Sequence, residues 1–527
     1  MMKRITLLAL IVALGASSSF AQRIVNIPSI PGDIVDIFPY IMGDTTAGGD
    51  RVDNNTIYTL DNGGVYITTD KIFNKPEWPL QIQAVDLDNQ DVKPVITRIP
   101  NTSGSYPNMF YPEGDMTLQN IWLIIGEKEG GQNHDWGKLR ILGTGSKITV
   151  KDCILEKDRG GLLQVRADSV SIFVDNCVFR NGGNRRVLQG NGRAIDARNF
   201  TLDSLVFTNS LVYNMVDRVF RSQGATQPHN YIKFSHNTIF NIAGRHGCFQ
   251  FSRVKELEVT NNMIQNPIML GTTPAFTDEQ NQPDAESHKV FTLDTLYAET
   301  SVMMAGNNVY WTQDVKDVWE NIDSVSQPQV LSALMKDALG ADTSSAYFVE
   351  DVVLNSIPAN ITQYVQDLYD NPASDSMYDF VVEDLALQGT EYDLGNLFDF
   401  STFDACYGSG TASATAGTNG QAIGYTLACT DLVSILAPEL VDLVNFQTYP
   451  NPVSTQAFIR YELPENMSIS VEVLDIQGRT VETLVRDFQL AGEQTITWKP
   501  QGISNGLYLI QLTTPHGQIS QKVLLNK

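Results

Sequence analysis

One short motif returns seven times through the middle of the chain, and it limits the possible folds more than any other feature. It reads Leu118-Gln-Asn120-Ile-Trp-Leu, Val150-Lys-Asp152-Cys-Ile-Leu, Val174-Asp-Asn176-Cys-Val-Phe, Phe207-Thr-Asn209-Ser-Leu-Val, Ser235-His-Asn237-Thr-Ile-Phe, Val259-Thr-Asn261-Asn-Met-Ile and Ala305-Gly-Asn307-Asn-Val-Tyr. Successive motifs stand 24 to 46 residues apart, with the shortest step used twice. A period near that shortest step, lengthened by insertions, is the pattern of a solenoid whose loops grow from one corner. A β-propeller needs about 40–50 residues per repeat and is excluded. The units carry short β-branched runs without helical spacing, so the coils are strands. Asn or Asp suits the corner between two strands, because it tolerates the left-handed backbone conformation and bonds neighbouring main chain. Stacking then sets the corner residues in a ladder and the apolar residues inside. The fold class is mainly β: a right-handed parallel β-helix, starting near Thr56.

The two ends read differently. Lys3 and Arg4 precede the apolar run Ile5 to Leu14, and Ser19 and Ala21 place small residues before Gln22, which is the three-part pattern of an export signal. No later run approaches the length of a membrane-spanning helix. The last 80 or so residues alternate in strand fashion, as in Tyr508-Leu-Ile-Gln-Leu512, between Gly, Pro and Asn turns. That pattern predicts a small antiparallel β-sandwich. The pieces Tyr449-Pro-Asn-Pro452, Val473-Leu-Asp-Ile-Gln-Gly-Arg479, Gly506-Leu-Tyr508 and Gln521-Lys-Val-Leu-Leu525 resemble the type A C-terminal sorting domain of the Bacteroidetes type IX secretion system. The resemblance implies an interaction with that secretion machinery and a secreted or outer-surface location. At fold level residues 53–430 also resemble the pectate-lyase-like β-helices, with Ala414 to Gly424 similar to their closing segment.

Between 310 and 400 the strand pattern gives way to helical spacing. Ser326 to Gly340 reads as a capped amphipathic helix, and Ile361, Tyr364, Val365 and Leu368 mark another before Asn371-Pro372. Solenoids need their last coil covered, so these helices are expected as a cap, with a lid over a cleft as the alternative. The domain expectation is a signal peptide over 1–21, a parallel β-helix over 22–310, a helical insertion and closing segment over 311–440, and a sorting β-sandwich over 441–527.

Charge says what the solenoid does not bind and hints at what it does. The 527 residues carry a formal net charge of −24, which argues against nucleic acid. Five cysteines and six histidines, without a Cys-x-x-Cys or His-x-x-x-His pair, offer no zinc site. Cys153 and Cys177 recur at one motif position and read as stacked core thiols, while Cys406 and Cys429 are candidates for a disulfide in an oxidising compartment. Cofactors stay unassigned: calcium through Asp86, Asp88 and Asp91 is the available cation, and a plain turn accounts for the same residues.

Within 159–253, however, twelve basic residues face five acidic ones. Gln164, Gln189, Arg221 and Gln250 align on successive coils, with Arg159, Arg186, Arg218 and Arg245 just before the shared apolar pair. Such a stripe suits a linear acidic polysaccharide, since guanidinium groups match carboxylate or sulfate. Arg159, Gln164, Arg186, Gln189, Arg221 and Gln250 are the candidate binding residues, and Arg218, Arg245 and His246 the candidate catalytic ones. β-Elimination needs the uronate carboxylate neutralised and a base near the C5 proton. Hydrolysis needs a carboxylate pair. Gly244-Arg-His-Gly247 resembles the His-containing motif of polygalacturonases, but the aspartates of those enzymes are missing from the preceding coils, so a lyase ranks above a hydrolase. The competing class is a non-catalytic glycan-binding or adhesion protein, its arginines paired as ordinary solenoid surface.

Overall fold

The computed structural model describes residues 22–31, 33–90, 92–98, 108–124, 137–158, 160–183, 192–244, 246–272, 288–322, 325–358, 360–370, 403–427, 429, 446–463, 466–474, 480–514 and 517–526. The expected signal peptide falls outside them. Ten coils wind from Arg23 to Tyr310, each giving one strand to each of up to three parallel sheets. The first sheet holds ten strands, from Arg23–Ile27 to Ser301–Ala305, and the second ten, from Val35–Asp36 to Asn308–Tyr310. The third holds eight, from Ile72–Asn74 to Phe291–Leu293.

Side chains alternate in and out along each strand, so every second residue meets its equivalents on the neighbouring coils. Ile172, Leu205, Ile232 and Leu257 pair in register in this way and are all buried. Phe207, Phe234, Phe249 and Phe291 continue the interior, with successive ring centroids 5.4, 5.1 and 5.1 Å apart. Such aromatic pairs add about 0.5–1.5 kcal/mol each beyond the area they bury.

The first corner shows the expected ladder, with two corrections of register. Positive φ angles fall on Asn120, Asp152, Asn176, Asn209, His236, Asn261 and Gly306. Asn237 and Asn307 are therefore not corner residues. Ser235 pairs with Thr208 and Thr260, which puts His236 at the corner and Asn237 one step inside, beside Ser210 and Asn262. The physical reason is that histidine and glycine also enter the left-handed region.

The inner step is a second ladder. The Asn237 Nδ2 donates to Asn262 Oδ1 at 3.0 Å, and Asn262 Nδ2 donates to Asn307 Oδ1 at 2.9 Å. Their carboxamide oxygens also receive the backbone N–H of the coil before: Ser210 N to Asn237, Asn237 N to Asn262 and Asn262 N to Asn307. Ser210 Oγ takes Cys177 N, and Cys177 Sγ takes Cys153 N, so the two stacked thiols belong to the same row. Both thiols are free and buried. A third ladder, Lys157, Asn181, Asn214, Asn241 and Asn266, also has positive φ and stands five residues after the first corner.

Both ends are covered. The helix Phe38–Met42 and Ile37 lie over the first coils, with Ile37 and Ile41 buried. At the far end the helix expected over 326–340 spans only Ala333–Leu339, with Ser332 as its N-cap. Val330 and Leu331 are extended instead, because the open edge of the third sheet takes them: Phe291 N bonds Val330 O and Ser332 N bonds Phe291 O. The helix before Asn371-Pro372 is found at Thr362–Asp370, and a further helix that sequence reading missed spans Gln313–Glu320. Trp319, on the latter, donates to Met269 O at 2.7 Å, tying it to the ninth coil.

Strand Asp404–Tyr407 pairs antiparallel with Leu354–Ser356, and the pair covers Tyr213, Phe240 and Tyr310 on the outer face of the second sheet. A disulfide joins Cys406 to Cys429. Residues 413–425 run lengthwise along the first corner, bonding Asn308, Asn261, Thr238 and Asn176 in turn. The tail forms two antiparallel sheets of three and four strands around Tyr461, Val471, Trp498 and Ile510.

Candidate functional site

The third sheet positions the charged groups. In its strands Leu163, Ile195, Phe220 and Phe249 point into the core, so their neighbours Gln164, Asp196, Arg221 and Gln250 form the outward row on four consecutive coils. The sixth coil gives Asp196 to this row, where sequence reading placed Gln189. The strand of that coil begins only at Arg193, after a longer connection than in its neighbours. Gln189 lies outside the described residues, as do Arg159, Arg186 and Arg245. Of the other candidates, Arg218, Arg221, Gln164, Gln250 and His246 stand on or beside one face.

That face is not the open stripe expected. Gln164, Asp196, Arg221 and Gln250 are only 1, 2, 8 and 7% exposed. Solvent reaches the group through Arg166 and His246, whose side chains are 20 and 17% exposed. Two aspartates that sequence reading left without a role organise it. Asp217 is fully buried and accepts Arg193 Nε at 2.7 Å, Arg218 Nε at 3.2 Å and His246 Nδ1 at 2.8 Å. Arg218 also donates to Gln250 Oε1 at 2.6 Å. Asp196 lies 3.6 Å from Arg193, 3.8 Å from Arg166 and 3.9 Å from Arg221. The missed signal was Asp217 directly before Arg218, and Arg193 at the matching place one coil earlier.

The electrostatics follow from burial and neighbours. Burial alone would raise the Asp217 carboxyl, but Arg218, Arg193 and His246 overcome it and hold it well below the usual carboxylate range. Burial lowers His246, and the nearby Asp217 offsets this only in part, so the ring is neutral at pH 7. With Nδ1–H donated to Asp217, Nε2 carries the lone pair, and it bonds none of the described residues. Two other members of the basic island are already paired: Arg180 with Glu156 at 2.7 Å and Lys233 with Glu258 at 3.2 Å. Both acids lie outside the span counted in the sequence. Asp86 accepts Asp88 N and Asn89 N, as in a turn.

His229 is the structural histidine of this region. Its Nδ1 accepts Leu202 N at 2.9 Å, so Nε2 carries the proton and faces Ser222 Oγ. Burial lowers it to about 4 from the usual 6.5. The unfolded chain therefore binds one proton more than the folded one between these values, and stability falls as pH drops through that window. The expected loss between pH 7 and pH 4 is about 3 kcal/mol from this residue. Thermal unfolding across that range checks it, and His229→Gln should flatten the slope.

Comparison with known proteins locates one family. Residues 447–526 match the secretion system C-terminal sorting domain. No curated protein and no solved structure matches the chain. No helix among the described residues is long and apolar enough to cross a membrane. The solenoid therefore carries a type IX sorting tail, recognised by that secretion machinery, and the chain is exported to the cell surface or released from it.

Proposed function

We propose that the exported solenoid acts on an extracellular acidic polysaccharide and cleaves it by β-elimination, with His246 as the base. The observation that carries this reading is the grip of Asp217 on His246 Nδ1, which leaves a neutral ring whose Nε2 bonds none of the described residues, with Arg218 and Arg193 on the same carboxylate. In the proposed step Nε2 takes the C5 proton of a uronate. The electron pair forms the C4–C5 double bond, the C4–O bond breaks, and the leaving oxygen takes a proton from water. Arg218, with Arg245, stabilises the charge that builds on the carboxylate. Gln164, Arg221 and Gln250 would hold the chain, together with Arg159, Arg186 and Gln189 as the sequence pattern assigns them.

A second reading has its own support. Arg193 and Arg218 are buried and already joined to Asp217, which suits a rigid glycan-binding or adhesion surface without catalysis. One experiment separates the two. The mature secreted protein is incubated with alginate, pectate, chondroitin and a heparin-like chain, with and without calcium. Unsaturated uronate is followed by ultraviolet absorbance, and binding by gel retardation. A lyase gives absorbance that falls about 10²–10⁴-fold in His246→Gln. Retardation without products assigns a binding module, and the absence of both signals overturns the acidic-glycan reading.

A further inference from the structure

We propose that Arg221, Arg166 and Gln164, gathered round Asp196, form a binding site for a single oxyanion group, a carboxylate or a sulfate. Two buried donors there lack partners among the described residues. Arg221 is 8% exposed and makes no hydrogen bond with the described residues, and its Nε is buried. Its nearest counter-charge, Asp196 Oδ1, lies at 3.9 Å, beyond hydrogen-bond reach. Gln164 is 1% exposed, and its Nε2 has no partner among the described residues. Its Oε1 is engaged by Arg166 at 3.4 Å, and the same guanidinium stands 3.8 Å from Asp196. The unpartnered donors of Arg221 and Gln164 thus flank Asp196 from the coils on either side of it.

The charge is unbalanced in the same place. Asp196 is the carboxylate of this cluster, and Arg166, Arg193 and Arg221 all stand within 4 Å of it. Arg193 spends its Nε on Asp217, which also serves Arg218. Among the described residues four guanidinium groups therefore share two carboxylates. A buried guanidinium without hydrogen bonds is costly, and native structures seldom tolerate one. Burial and repulsion from Arg193 push Arg221 down to about 9, the direction expected of a cation without its counter-ion. An oxyanion at this point would take the free donors of Arg221 and Gln164 and offset the excess charge. The 20% exposed side chain of Arg166 marks the way in.

The site deepens the acidic-glycan reading and rests on it only for the polymer that would carry the group. The test titrates the whole secreted protein with sodium sulfate and with sodium glucuronate, in a background of constant chloride, followed by calorimetry. Chondroitin with and without its sulfate groups then separates a sulfate from a carboxylate as the polymer-borne ligand. The expected result is saturable binding of at least one oxyanion, weakened about 10–100-fold in Arg221→Gln and less in Gln164→Leu. Without the anion, Arg221→Gln should be at least as stable as the parent, since it removes an uncompensated charge. A purely structural Arg221 predicts the reverse: a destabilised variant and unchanged anion binding. That outcome, or no saturable binding to the parent, overturns the site. Should Arg221→Gln fail to fold, the weakening in Gln164→Leu decides. Oxyanion binding that survives in His246→Gln without unsaturated products anywhere would sink the lyase and leave this site standing. Products formed equally by Arg221→Gln, with no oxyanion bound, would do the opposite.

Discussion

Asp217→Asn is expected to destabilise the solenoid by about 3–5 kcal/mol at pH 7, as loss of one partner from a buried ion network does. Asparagine keeps the shape but turns one of the two acceptor oxygens into an NH2 donor, so the change removes the charge and one acceptor together. Arg193 and Arg218 would then be buried within reach of each other without the carboxylate that now bonds both. His246 would also lose the acceptor that fixes its tautomer. The pH dependence carries a sign. Because the folded carboxyl titrates well below its unfolded value, its contribution is complete above about pH 4 and is lost as pH falls through the folded value. Parent and variant should therefore differ fully at pH 7 and converge in strong acid. Thermal unfolding at both pH values checks this. Replacing Asp217, Arg193 and Arg218 together by apolar residues should cost less than Asp217→Asn alone, because no charge is then left unpaired. If the single variant unfolds with the parent at pH 7, Asp217 does not hold this face together.

Much of this architecture is legible in the order of residues, because a solenoid writes the same physical demand once per coil. The Asn corners, the β-strands, two of the helices at the far end and the sorting tail follow from motif and spacing. On two coils the corner was placed one residue late, at Asn237 and Asn307 and not at His236 and Gly306, since the demand is for a left-handed backbone and asparagine is only one of the residues that meet it. The adjacent inward Asn237 and Asn307 then drew the eye by identity. The ladder at Asn181, Asn214, Asn241 and Asn266 was readable from its constant five-residue offset, and Lys157 hid its first rung. At the candidate site, Arg218, Arg221, Gln164, Gln250 and His246 were found by register. Asp196 and Asp217 were passed over because the search was for a cationic stripe, whereas a buried arginine requires a carboxylate beside it. A local charge count cannot show this, since partners such as Glu258 for Lys233 come from the next coil. The covering of the second sheet by Asp404–Tyr407 is a long-range contact with no periodic trace.

The inward asparagines should carry more stability than the corner residues that advertise the fold. Asn262→Ala is expected to cost about 3–5 kcal/mol, from four side-chain hydrogen bonds worth about 1 kcal/mol each and buried groups left unsatisfied. Asn262 Oδ1 accepts both Asn237 N and Asn237 Nδ2, and its Nδ2 donates to Phe234 O and Asn307 Oδ1. None of these groups has water to turn to, since Asn237, Asn262 and Asn307 are at most 1% exposed. Asn262→Ser should recover part of the loss, because Ser210 already serves in the same row, accepting Cys177 N and donating to Thr208 O. Asn176→Ala, at the outer corner, strains a residue with φ of 49° and removes part-buried hydrogen bonds to Gln90, Asp152 and Tyr425, partners that lie nearer water, and should cost about 1–2 kcal/mol. Thermal unfolding of the three variants should rank them in the order Asn262→Ala, Asn262→Ser, Asn176→Ala, from most to least destabilised. An Asn262→Ala variant no weaker than Asn176→Ala would mean that the coils are held by their apolar interior and strand pairing alone. The ladder would then be a passive filling of the corner. The predicted order would instead make hydrogen bonds between coils, repeated along the axis, a second cohesive element beside the apolar core.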